Sequence, residues 1–127
     1  MDRVADFLAY AAGILVGLWG IAHAIPTTRV AAGFQPITVD NKRVLIQEWL
    51  AESFTMWGLA TIVIGATAIG ADGDSGVAWV YRAVAGLLLA LAILTSLTGA
   101  RTPVIWFKIC PMLLGTSAML LVIASIV

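Results

Sequence analysis

Charge is scarce in this chain. Of 127 residues, seven are Lys or Arg and seven are Asp or Glu, 11% in all, whereas a soluble domain carries about 25% because its surface must be solvated. An ordinary water-soluble domain is thereby excluded. The two signs cancel to a formal net charge of zero, so bulk charge gives no hold on a nucleic acid or an acidic substrate. The single cysteine, Cys110, rules out an internal disulfide, and with the single histidine, His23, it leaves too few ligands for a structural zinc site. The chain also lacks HExxH, CxxC, CxxCH, a phosphate-binding loop and GxSxG. Zinc hydrolysis, c-type haem, nucleotide use and serine catalysis have no support in it.

Apolar residues are abundant: 61% of the chain is hydrophobic and the mean hydropathy is +1.03. A spanning helix needs about 20 mainly apolar residues to cross roughly 30 Å of hydrocarbon. Four stretches qualify, at about Val4–Ile25, Val44–Gly70, Val77–Gly99 and Val104–Val127. They predict one all-α transmembrane domain over 1–127, an integral four-helix bundle in the cell membrane. Ala22-His23-Ala24 resembles a signal-peptidase site, but the residues before Phe7 are not basic and the uncharged run is longer than a signal core, so the first span is expected to be retained.

Punctuation supports these limits. Pro26 closes the first span, Asp40 or Asn41 can cap the second, and Thr102-Pro103 reads as cap and first residue of the fourth. Pro111 then falls inside that helix and predicts a kink near residues 107–111. With four spans both termini share a side. Arg3 and Arg82 lie there with the acidic turn Ala71-Asp72-Gly73-Asp74, against Arg29, Lys42, Arg43, Arg101 and Lys108 on the other. The basic excess places the termini outside. The segment from Pro26 to Arg43 reads either as a fold-back cover or as a loose interfacial loop.

Ionisable groups inside a span are costly unless they face protein or water, which makes each a candidate. His23, Glu48 and Lys108 fall at one level near the inner face, with Glu52 one turn deeper. Glu48 and Glu52 are one turn apart, about 6 Å, with Thr55 continuing the stripe. Two acids, a histidine and a lysine within one turn of each other in depth suit acid–base chemistry, with Glu52 as acid or base, Glu48 as its partner and His23 as shuttle or orienter. Lys108, Thr55 and the deeper tryptophans Trp19, Trp49 and Trp57 are candidate walls of a lipophilic pocket, or simply packing. Trp79 and Trp106 read as interfacial belt residues, and Cys110 as an inert thiol. Near the other face Asp6 and Arg82 are expected to form a structural ion pair. Gly13, Gly17 and Gly20 line one side of the first span and allow close helix approach.

The segment Gly17-Leu18-Trp19-Gly20-Ile21-Ala22-His23 resembles the first helix of the small four-helix bacterial membrane proteins grouped as DoxX-like. That resemblance implies a fold rather than an activity. In size and span number the chain is also similar to membrane epoxide isomerases that bind haem through a histidine, and His23 is the one residue to carry that likeness.

The sequence therefore leads to a bilayer-embedded polar pocket for a lipophilic small molecule, with cofactor-free isomerisation or hydration as its chemistry. Haem on His23 is a remote alternative. A non-enzymatic scaffold subunit, a homo-oligomer or an oligomeric proton or ion path are the rival readings. No nucleic-acid partner is expected.

Overall fold

A computed structural model describes residues 2–71 and 73–127; Met1 and Asp72, the latter counted above in the acidic turn, lie outside the described residues. The described chain is helical, with no strand. Helix α1 runs Asp2–Ala24, α2 Thr27–Ala32, α3 Val39–Ile69, α4 Ser75–Leu97 and α5 Ile105–Ala124, with a 3-10 turn at Gly99–Arg101 before α5. Four of these helices, α1, α3, α4 and α5, are long and apolar enough to cross a membrane. The chain is a multi-pass membrane protein.

Helix ends follow local chemistry, though not always at the expected residue. The cap of α3 is Thr38, whose side chain accepts from the Asn41 N–H at 3.2 Å; neither Asp40 nor Asn41 serves as cap. Helix α3 thus starts five residues before the expected Val44 and contains 31 residues. At about 1.5 Å per residue it is roughly 46 Å long, so its polar N-terminal turns overhang the hydrocarbon. The Thr102-Pro103 signal marks a turn instead of a helix start: Thr102 donates to the Gly99 carbonyl, and α5 begins at Ile105 after Val104. Pro111 lies inside α5, as the sequence required. Asp74 caps α4 by accepting from the Gly76 N–H at 2.7 Å, and Gly73 beside it takes φ +75°, a conformation that costs any residue with a Cβ. The expected 26–43 loop contains α2, which rests on α3 with Ala31 buried.

Helix α1 packs against both α3 and α5, and α4 packs mainly on α5. The buried residues recur at three- and four-residue steps: Ala9, Ala12 and Val16; Met56, Leu59 and Val63; Tyr81, Val84, Leu88 and Ala92; Cys110, Leu114, Ala118 and Leu121. This is the spacing of a helix with one protein-facing stripe. The remaining faces carry Phe7, Leu18, Ile62, Leu94 and Met112 in the open, which lipid solvates. The α1 glycines allow the close approach: a Cβ on Gly20 would stand 2.7 Å from the Trp57 indole nitrogen, and one on Gly13 2.9 Å from Ile64. Trp79 and Trp106 are exposed near the starts of α4 and α5, where a belt residue belongs.

Candidate functional site

Depth along the helices brings His23, near the end of α1, to the level of Trp49 and Glu52 on α3. The His23 side chain is nine-tenths buried, with 9% of its surface exposed against 28% for Glu52, and its Nε2 stands 3.3 Å from Glu52 Oε2. The distance is that of a polar contact, but the alignment is not that of a hydrogen bond. Nε2 is buried without a hydrogen-bond partner among the described residues. Its ring is held by its face: the Trp49 ring stacks on it with centroids 4.0 Å apart and planes 15° from parallel. Phe107 of α5 tilts against Trp49 at 5.9 Å. The Trp49 indole N–H donates to the His23 carbonyl at 2.7 Å, satisfying one of the orphan carbonyls at the end of α1.

A second contact closes the inner side of this layer. The Trp19 indole N–H donates to Cys110 Sγ at 3.3 Å, and Thr95 and Glu52 lie near the same thiol. Ser53, next to Glu52, is fully buried with an unpartnered hydroxyl, as is the indole nitrogen of Trp57. With His23 Nε2, these atoms leave this end of α1 and α3 with more hydrogen-bonding capacity than the described residues satisfy.

The remaining expected members stand apart. Glu48 is exposed and accepts from its neighbour Gln47 at 3.3 Å; it lies one turn nearer the start of α3 than Glu52. The histidine's acidic neighbour is thus Glu52, not Glu48. Lys108 is exposed, because two residues from buried Cys110 means a rotation of about 200° on a helix. Thr55 is exposed and donates to the Ala51 carbonyl. Trp57 packs against Gly20 and Phe54 instead of against Glu52. Trp19, Trp49, His23 and Glu52 are the expected residues brought together. Phe107, through Trp49, and Cys110, through Trp19, join them; half-buried Phe107 is three residues before buried Cys110 on α5, a spacing that could have found them.

At the opposite end Asp6 and Arg82 do not form the expected ion pair. The ion contacts among the described residues are His23–Glu52 and the exposed Arg43–Asp40. Arg82 instead donates from Nε to Ser125 Oγ at 3.2 Å and from Nη2 to the Ser125 carbonyl at 2.9 Å. Asp6 and Arg82 share the wall of a cleft of about 470 Å³ with Thr67, Asp74, Tyr81 and Ser125. Between the two polar ends, the seam lined by Ala12, Val16, Leu59, Val63, Leu88 and Leu121 has no room for a water molecule.

No family model, curated protein or solved structure matches the chain.

Proposed function

We propose that the chain is an antiparallel four-helix bundle of the cell membrane, with its termini outside, in which His23 and Glu52 bind a lipophilic molecule carrying a polar group and act on it as base and acid. The carrying observation is the 3.3 Å approach of a nine-tenths-buried Nε2 to a carboxylate that retains 28% of its exposure. Such a carboxylate is open on one side to the bilayer and backed on the other by a histidine whose ring nitrogen lacks an aligned partner. A ligand entering sideways from the lipid would meet Glu52 first. A proton passed between Glu52 and the ligand can be exchanged with His23, while Trp49 keeps the imidazole in place. An epoxide or terpenoid undergoing isomerisation or hydration requires that proton traffic and no electron carrier. The filled seam favours this reading over passage of ions through a single copy.

A scaffold role is the second reading, favoured by the way Trp49 ties α3 to the end of α1. Native mass spectrometry of the purified protein and of Glu52→Gln separates the two. Loss of a co-purifying lipid-sized mass in the variant, with unchanged thermal stability, is the outcome expected of a ligand site. A variant that keeps the mass and melts early belongs to the scaffold.

A further inference from the structure

The cleft at the other end of the helices is a separate polar site. It forms where the start of α1, the end of α3, the start of α4 and the end of α5 meet, and it measures about 470 Å³. Both signs of charge line it. Arg82 uses Nε and Nη2 on Ser125, and its remaining N–H groups have no carboxylate within 4 Å among the described residues. Asp6 has no cation within that distance among the described residues either. Arg82 shares the cleft with the carboxylates of Asp6 and of Asp74, which caps α4, and pairs with neither among the described residues, so the cleft suits a ligand bearing both signs.

The neutral groups indicate how the charges are used. Thr67 donates its one hydroxyl proton to the Val63 carbonyl at 2.7 Å. The 2.8 Å contact between Thr67 Oγ1 and the Tyr81 phenol must then be donated by Tyr81. The phenol of Tyr81, a residue of the cleft wall, is thus committed as a donor and keeps only acceptor capacity. Asp6 and Tyr81 accordingly offer acceptors to an ammonium, which has three donors and no acceptor, while Arg82 offers a planar fork to phosphate oxygens. Exposed Trp79, three residues before Arg82, and exposed Ile126 on the rim mark the depth at which the bilayer's headgroups begin.

We infer that this cleft binds a zwitterionic phospholipid headgroup of the phosphoethanolamine type, with the phosphate on Arg82 and the primary ammonium on Asp6 and the Tyr81 oxygen. The site is independent of the His23–Glu52 reading, and either can fail alone. A lipid is favoured over a free zwitterion because the cleft lies at the end of four membrane-spanning helices, where acyl chains can remain in the bilayer beside Ile126.

Native mass spectrometry of the detergent-purified chain, titrated with phosphatidylethanolamine, phosphatidylglycerol and water-soluble glycerophosphoethanolamine, tests this on the folded species alone. The wild type should prefer phosphatidylethanolamine to phosphatidylglycerol by about tenfold, the scale of one charge-assisted hydrogen bond. Arg82→Gln should lose both lipids and Arg82→Lys should retain them. Asp6→Asn, close to isosteric, should keep phosphate binding yet lose the preference for the zwitterion. A wild type that does not discriminate, or an Asp6→Asn variant with the same preference, overturns the assignment. Displacement of the lipid by equimolar glycerophosphoethanolamine overturns the lipid as source.

Discussion

Trp49 holds His23 at two points: its ring lies 4.0 Å from the imidazole, and its indole N–H reaches the same residue's carbonyl at 2.7 Å. One side chain of α3 thus fixes both the orientation of a candidate proton-handling group and the end of the helix that carries it.

Replacing Trp49 by Phe should preserve most of the stack and remove the hydrogen bond. The expected loss is about 1 kcal/mol of stability, read by unfolding in detergent. Trp49→Ala should cost about 3–5 kcal/mol, since it also empties the volume above the imidazole. Equal effects from the two would mean that the ring stack contributes nothing, and an unchanged Trp49→Phe would mean the same of the carbonyl contact.

The glycines of α1 and α3 should respond in opposite ways. A Cβ at Gly20 meets the Trp57 ring at 2.7 Å, whereas one at Gly58 meets nothing within 4 Å. Gly20→Ala should destabilise by about 1–3 kcal/mol through overpacking. Gly58→Ala should be neutral or should stabilise by up to about 1 kcal/mol through helix propensity. Melting temperatures of the two variants in one detergent decide it.

Capping of α3 gives a local test. Thr38→Ala should fray the first turn and cost about 1 kcal/mol, visible as faster amide exchange at Asn41. Asp40→Asn, which leaves the cap intact, should leave that amide unchanged.

The orientation can be read by labelling single cysteines in a Cys110→Ser background. With the termini outside, a membrane-impermeant maleimide added to intact cells should modify Ser75→Cys and spare Lys42→Cys. The reverse pattern would invert the proposed topology.

Much of the fold was legible because lipid imposes a simple rule: backbone polar groups must pair within the segment, so apolar length alone marks the helices. Level along the helix axis was legible for the same reason. Counting at a fixed rise brought His23 to the depth of Glu48 and within one turn of Glu52, the carboxylate it meets in the structure. Direction around each helix was harder. Lys108 and Thr55 stand two residues from the buried positions Cys110 and Ser53 and turn outward, but which residues are buried is settled only when the helices pack. Glu48 was misplaced because α3 begins at Thr38 and overhangs α1, a consequence of a threonine cap where acidic and amide residues nearby looked equally suitable. The Arg82–Ser125 contact joins residues 43 apart in the chain, and a charge-matching rule applied to the sequence pointed to Asp6 instead.

The overhang of α3 has a bearing on the membrane itself. A helix of roughly 46 Å is well in excess of a hydrocarbon layer of roughly 30 Å, and its first turns carry Asp40, Lys42, Arg43, Gln47 and Glu48, so the water boundary falls near Trp49 and Glu52. A bilayer a few ångströms thinner leaves Glu52 among hydrated headgroups; a thicker one seals it beneath acyl chains or makes the helix stand more upright. Lipid chain length thereby governs how wet the His23–Glu52 pair is, and reconstitution into bilayers of graded thickness would change its proton exchange without altering a residue.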